Sequence, residues 1–248
     1  MRRSMVRWRV AAVGLAAVLL LGLPLKAAPE AKPAEKGINM SALVSETQKM
    51  SRDNNKISLV WWIPQEFWKA SLSETAGVTK DQAEEFLKVF RPYMIVAVVE
   101  GSMGPFAGAK FSPEAQVRAR LVLRDKEGNA YSPIADDKVE ADLKNVLAAM
   151  KPILSNMLGP LGQNIHFFVF PAQNKAGQTI ADPQKEGSLL IKLGDEEYKW
   201  RLPLGSLLPA KTCTSCREEL NGAYKFCPWC GTKLPETKLP VATTKPAK

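Results

Sequence analysis

The chain has few of the side chains that usually carry catalysis. Its 248 residues include one histidine, His166, and four cysteines, which all lie between positions 213 and 230. No G-x-S-x-G motif accompanies His166, and the glycine-rich segment 101–109 lacks the Gly-Lys-Ser/Thr ending of a phosphate-binding loop. These absences argue against a serine hydrolase and against a phosphate-loop nucleotide-binding protein, and the sequence assigns no catalytic residue and no organic cofactor.

An excess of one charge sign is missing from most of the chain. The net charge is +9 and the pI about 9.4, but residues 37–210 contain 20 basic and 20 acidic side chains. The excess lies in residues 1–27, with five basic groups and no acid, and in residues 231–248, with four basic groups and one acid. Because nucleic-acid binding needs a concentrated basic surface that displaces counterions, we predict no nucleic-acid partner.

The N-terminal segment has the architecture of an export signal. Four arginines precede an apolar run, Val10 to Leu23, and Pro24 separates that run from Lys26-Ala27-Ala28. The run is shorter than the roughly 20 residues that span a bilayer, which favours a cleaved signal peptide over residues 1–27. An uncleaved anchor over residues 10–25 is the alternative, and the pair Arg2-Arg3 leaves the Sec and twin-arginine routes open. We expect an extracytoplasmic protein, periplasmic or secreted, whose membrane contact is limited to this segment.

The four cysteines form two C-x2-C pairs, Cys213 with Cys216 and Cys227 with Cys230. Zn2+ takes four ligands in a tetrahedron, and two residues between paired thiolates let a tight turn aim both sulfurs at one point. We therefore predict one structural zinc site that uses all four cysteines and leaves no position for a catalytic water. An iron site and two disulfides remain alternatives, the latter because oxidising compartments favour disulfides.

The segment from Lys211 to Leu234 contains the two C-x2-C pairs, with a K-F pair before the second, and it ends in C-P-W-C-G-T-K-L. This pattern resembles the short zinc-ribbon family. The resemblance implies bound zinc and a small β-rich module. Arg217 stands where that family usually has glycine, so the first cysteine turn should be less regular. From the residues themselves, Asn221-Gly222 predicts a hairpin that pairs 218–220 with 224–226.

Between the N-terminal segment and the ribbon, the sequence predicts one core-burying domain. We assign residues 28–38 to a flexible tether, 39–208 to an α+β domain, 209–234 to the zinc ribbon and 235–248 to a disordered basic tail. Helical and strand patterns interleave without a repeating βαβ unit, which favours a mixed, mainly antiparallel sheet with packed helices. This body resembles no family that would name an activity.

Local patterns predict the elements of the body. A first helix is expected to begin after the cap Asn39, with Met40, Leu43, Val44 and Met50 on one side. Further helices are expected over 65–72, 80–90 and 139–158. The last of these should begin with a capping box made by Asp136 or Asp137 together with Glu140. Strands are expected over 57–63, 93–99, 116–124 and 166–170, and in a hairpin of 189–193 with 198–202. The aromatic cluster Trp61, Trp62, Phe67 and Trp68 fits core packing, with a groove for a peptide, glycan or lipid as the alternative.

These observations favour a non-enzymatic binding or assembly protein, in which the body recognises a protein partner and the ribbon is a rigid contact module. The alternative is an envelope hydrolase or transferase that uses the loop at 101–109 with Glu100, Ser102 or His166. A redox protein that uses its C-x2-C pairs is a third hypothesis.

Overall fold

The computed structural model describes residues 38–53, 55–104 and 108–236. The predicted signal or anchor segment and nearly all of the tether and basic tail lie outside these residues. The helices are α1 (Met40–Thr47), α2 (Gln65–Glu74), α3 (Lys80–Phe90), α4 (Glu114–Arg120) and α5 (Ala141–Met157). The strands are β1 (Gln48–Met50), β2 (Lys56–Ile63), β3 (Tyr93–Gly104), β4 (Gly108–Phe111), β5 (Leu121–Arg124), β6 (Ala130–Tyr131), β7 (His166–Pro171), β8 (Gly187–Leu193), β9 (Glu196–Leu202), β10 (Lys211–Thr212) and β11 (Glu219–Leu220). In the described part of the chain, no helix has the length and apolar character needed to cross a membrane.

The body is built from two antiparallel sheets with helices, so the predicted α+β class is confirmed. Sheet 1 has the order β1-β2-β3-β4, and β7 pairs with the first half of β3. Sheet 2 has the order β6-β5-β8-β9. The sheets meet through alternate residues of β2: the hydroxyl oxygens of Ser58 and Tyr198 lie 2.7 Å apart, and the rings of Trp62 and Trp200 pack edge to face.

The other face of β2 packs against helices. Trp61 points away from sheet 2, because successive strand residues face opposite sides. Its indole Nε1 donates a hydrogen bond to the hydroxyl of Thr47 in α1 at 3.1 Å, and its ring meets Phe67 of α2 edge to face. Trp68 continues the cluster and stacks on Phe90 of α3 with ring centroids 4.6 Å apart. The four predicted aromatic residues are buried, so they pack in the core and do not line an open groove.

The strand predicted over 116–124 is wrong in its first half, where α4 replaces it. Pro113 precedes the helix, and the Arg118 guanidinium contacts the Glu114 carboxylate at 2.9 Å, one turn away. The same guanidinium reaches Asp136 at 2.6 Å, while Val117 is fully buried. The contact with Asp136 and the burial of Val117 depend on the tertiary structure, and they stabilise a helix that the local apolar alternation did not indicate.

Two expectations about helix ends also fail. Asn39 does cap α1, since its side-chain oxygen accepts a hydrogen bond from the Ala42 N–H at 3.0 Å, but Met50 lies beyond the helix in β1 and is exposed. The capping box predicted with Asp136 or Asp137 and Glu140 does not form, because Glu140 is itself the N-cap residue of α5, and no side chain caps the helix. A short 3₁₀ turn, Asp136–Lys138, intervenes, and α5 begins only after Glu140 and contains Pro152.

Candidate metal centre

The first cysteine pair lies in the turn of a short hairpin made by β10 and β11. Lys211 stands opposite Leu220 in this hairpin. The N–H of Cys213 donates to the carbonyl of Glu218 at 2.9 Å, and the N–H of Arg217 donates to the carbonyl of Cys213 at 3.0 Å. These bonds close the turn and direct both thiols of the pair to its inner side.

The second cysteine pair lies in a turn with the same hydrogen-bond pattern. The N–H of Cys227 donates to the carbonyl of Thr232 at 2.8 Å, and the N–H of Gly231 donates to the carbonyl of Cys227 at 2.9 Å. The flanking chains are held by a bond from the Leu234 N–H to the Lys225 carbonyl, also 2.9 Å. The two pairs therefore form two similar units that face each other.

The hairpin predicted around Asn221-Gly222 is wrong. Strand β11 pairs with β10 on the other side of the first cysteine turn, and the segment 224–226 faces Lys233. Gly222 does not adopt the positive φ of a hairpin turn. A side chain at Gly222 would instead place its Cβ 2.5 Å from Leu208 Cβ, so glycine is required there by close approach to the preceding chain.

The four thiols converge on one point, as predicted. Sγ–Sγ distances are 3.5 Å for Cys213 and Cys230, 3.6 Å for Cys216 and Cys227, and 3.7 Å for Cys216 and Cys230, and the four sulfurs lie within 4.8 Å of one another. A tetrahedron with metal–sulfur bonds near 2.3 Å has edges of about 3.8 Å, whereas bonded sulfurs are about 2.0 Å apart. The arrangement fits a four-thiolate metal site, and the cysteines are not disulfide-bonded.

The surrounding groups favour ionised sulfur. Hydrogen bonds from the side chain and the backbone N–H of Thr232 lower the pKa of Cys230 to about 6. Backbone donors, first the N–H of Cys216, lower the pKa of Cys213. The Glu218 N–H also favours the Cys216 thiolate, but burial and the three neighbouring thiols raise the pKa of Cys216 to about 12. A divalent cation removes this conflict, because a coordinated thiol is deprotonated.

Thr232 is the residue of this centre that the sequence reasoning missed. Its hydroxyl lies 3.2 Å from the Cys230 sulfur, and its carbonyl accepts the hydrogen bond from Cys227. The available signal was its position two residues after the last cysteine, where the turn brings backbone groups toward the thiolates.

The expected irregularity of the first turn is not found, because Arg217 adopts the conformation that glycine has in the second. Its φ is 62°, and that of Gly231 is 74°. A non-glycine residue pays roughly 1–2 kcal/mol for the left-handed region. We expect Arg217→Gly to tighten metal binding about twofold to fivefold, since glycine's greater freedom in the unfolded chain offsets part of the relief.

Competition with a chromophoric chelator measures this change. Gly231→Ala is the matched variant, and it should weaken binding because the Cβ introduces the same strain. A weaker metal affinity in Arg217→Gly would contradict the role of backbone strain in the first turn.

The cysteine-bearing segment rests against the body through a 3₁₀ helix, Gly205–Leu207. The carboxylate of Glu46 in α1 accepts hydrogen bonds at 2.8 Å from the N–H groups of Gly205 and Ser206. A Cβ on Gly205 would lie 1.6 Å from the side-chain oxygen of Asn221. The segment has its own core of Cys213, Cys227, Leu220 and Leu234, which is separate from the core of the body.

Two of the three residues proposed for the enzymatic alternative, Glu100 and His166, contact charged side chains of α4. Glu100 pairs with Arg120 at the end of α4, while His166 Nδ1 lies 3.8 Å from a carboxylate oxygen of Glu114 at its start. Ser102 is exposed, and within the described residues it has no hydrogen bond to His166. The glycine-rich segment continues β3 into a hairpin with β4, whose tip at 105–107 lies outside the described residues.

Comparison with protein-family models, with curated proteins and with solved structures finds no match. The four cysteines that the sequence singled out are brought together, and they can hold a metal ion.

Proposed function

We propose that this protein is an exported, non-enzymatic binding or assembly protein, in which zinc held by Cys213, Cys216, Cys227 and Cys230 orders a zinc ribbon that contacts a protein partner. The observation that carries the proposal is the closed set of four converging thiols. Four protein ligands complete a tetrahedral shell and leave no position for water or substrate, which is typical of structural zinc and not of catalytic zinc.

Zinc fits this donor set better than the alternatives. Four thiolates with backbone donors around them suit Zn2+ or iron, and the short stretch between the two cysteine pairs is typical of zinc ribbons. The segment also needs a metal for its stability. Its buried core consists of four residues, two of them ligands, which is too small to order it unaided.

Exposed aromatic side chains support a role in protein contact. Tyr224, Phe226 and Trp229 are 45%, 59% and 76% exposed, and all three lie on the ribbon. Large aromatic side chains are enriched in the buried centres of interfaces and are costly to leave in water. A ribbon whose own core is small and whose aromatics face outward is suited to recognition.

The test begins with protein purified from its native compartment. We expect about one zinc per chain by elemental analysis, reduced cysteines by mass spectrometry, and an N-terminus near residue 28 if the signal is cleaved. Absence of stoichiometric metal, or sulfurs bonded pairwise, would rule out the zinc ribbon.

Partner contact is tested by cross-linking in that compartment. The double variant Phe226→Ala, Trp229→Ala should retain zinc and lose the cross-linked partner. Ile153→Ala, Met157→Ala removes exposed apolar side chains from α5 and serves as the matched control. Equal cross-linking of the partner by both double variants would contradict a role of the ribbon surface in partner recognition.

A further inference from the structure

Strand β9 is an edge of sheet 2, and its outer backbone groups can be assigned. The Gly194 N–H donates to the Arg120 carbonyl at 3.1 Å, so even-numbered residues of β8 pair with β5 and odd-numbered residues pair with β9. Odd residues of β8 stand opposite even residues of β9. The N–H and C=O groups of Glu197, Lys199 and Arg201 therefore point away from the sheet, and they have no backbone partner among the described residues.

Other edges in the described part of the body are shorter or partly covered. Strands β1 and β6 contain three and two residues. On β7, the carbonyl of Val169 accepts a hydrogen bond from the Ile134 N–H at 2.7 Å. Strand β9 has seven residues, a length of roughly 20 Å. Proteins usually cover or shorten such an edge, because it is a template for pairing with another chain.

Open space follows β9 along its length. A cleft of about 580 Å3 lies at its start, between Glu196–Lys199 and the segment Lys49–Arg52. A second cleft, of about 970 Å3, lies at its end and is lined by Arg201 and Leu202 together with Tyr224 and Lys225 of the ribbon. An extended chain paired with β9 would thus reach the ribbon.

The charges beside this edge are unbalanced. Arg52, Arg201 and Lys225 line the clefts and form no ion pair with another described residue, whereas two acids of the second cleft, Glu46 and Glu186, have no cationic partner among these residues. The Lys49 ammonium lies over the Trp200 ring, 5.4 Å from its centroid, and forms no ion pair with another described residue. The two acids of the first cleft are compensated, since Glu196 faces Lys56 and Glu197 lies between Lys192 and Lys199.

We propose that an extended acidic segment of the partner protein adds as a strand to the outer edge of β9, with its far end against the ribbon. Backbone hydrogen bonds to Glu197, Lys199 and Arg201 hold the segment, and the unpaired cations select acidic side chains. This inference rests on the proposed function, since it names the chemistry of the protein partner. It also explains why body and ribbon act together in recognition.

A labelled synthetic peptide of alternating glutamate and valine, about as long as β9 and capped at both ends, is a suitable probe. Fluorescence anisotropy with the full zinc-loaded protein should show saturable binding at low ionic strength. Replacing each glutamate by lysine should weaken binding by about tenfold or more. Equal binding of both peptides would overturn the proposed selectivity.

Backbone pairing is tested without changing the protein. N-methylation of two adjacent central residues in the peptide removes donors in either register and leaves the charges intact. Strand addition predicts a loss of about tenfold or more. Unchanged binding would show attraction by side-chain charge alone and would overturn the inference.

A protein variant gives a second test. Lys199→Pro removes an outward N–H that sheet 2 does not use, so the edge strand should tolerate it. Lys199→Thr is the matched control, because it removes the same charge and keeps the N–H. Both variants lose the charge of Lys199, so strand addition predicts that the peptide binding left in Lys199→Thr is absent in Lys199→Pro.

The outcomes separate this inference from the proposed function. If the peptides do not bind, while the zinc-loaded protein still cross-links to its partner through the ribbon, the β9 site is ruled out and the proposed function stands. Sedimentation that shows dimers of the wild type, lost in Lys199→Pro, would assign the edge to a second copy of the chain and overturn the partner segment.

Discussion

Cys227→Ser is expected to abolish stoichiometric metal binding and to unfold residues 211–234, while the body stays folded. The core of the cysteine-bearing segment contains two of the proposed ligands, Cys213 and Cys227, and two leucines, so little apolar burial remains without a metal. Structural zinc contributes apparent binding free energies of about 10–16 kcal/mol in zinc-finger peptides, and such modules unfold when it is lost. The body has a separate core, which the substitution does not touch.

Hydrogen exchange resolved along the chain measures both parts at once. Amides of the ribbon should lose protection in Cys227→Ser, and amides of β2 and β3 should keep it. Ser215→Ala, between the ligands of the first pair, should behave like the wild type. Loss of protection throughout the body would contradict the separation of the two cores.

Trp68→Ala is expected to lower the free energy of unfolding of the body by about 3–5 kcal/mol. Trp68 is 1% exposed, stacks on Phe90 and meets Phe67 edge to face at 5.2 Å. Removing the indole leaves a cavity between α2 and α3 that rigid neighbours cannot fill, so the loss exceeds the transfer free energy of the side chain.

Urea denaturation followed by far-UV circular dichroism gives the change in unfolding free energy. Trp229→Ala is the matched control: the same residue type is 76% exposed on the ribbon, and we expect a change within about 0.5 kcal/mol for the body. A decrease in unfolding free energy of less than about 1 kcal/mol in Trp68→Ala would contradict core packing of the aromatic cluster and favour a surface groove.

Elements with complete local signals were predicted closely. Helix α3 has the predicted bounds because Thr79 and Gln82 form a capping box at its start and an apolar side faces the core. The β8–β9 hairpin follows from its two-residue turn at Gly194-Asp195. The convergence of the four cysteines followed from their spacing alone, since the geometry of one ion constrains residues close together in sequence.

The errors occur where distant residues supply the deciding contacts. Helix α4 lies in place of a strand, because its Val117 is buried in the core and its Arg118 reaches Asp136, 18 residues further along the chain. Asn221-Gly222 did not form a hairpin because each cysteine turn closes its own hairpin and because the chain at Leu208 approaches Gly222. Local propensity is a weak prior, and a few tertiary contacts outweigh it.

By itself, the sequence determined the α+β class and the four converging thiols, because short-range geometry and hydrophobic pattern specify both, and it favoured core packing for the aromatic cluster. The tertiary structure alone decided that the cysteine-bearing segment rests on the Gly205–Leu207 turn and that, within the part of the chain that the structure describes, the edge of β9 stays open beside unpaired cations. Such features depend on which surfaces meet when the chain folds. That is a property of the whole packing, and no local segment of the chain contains it.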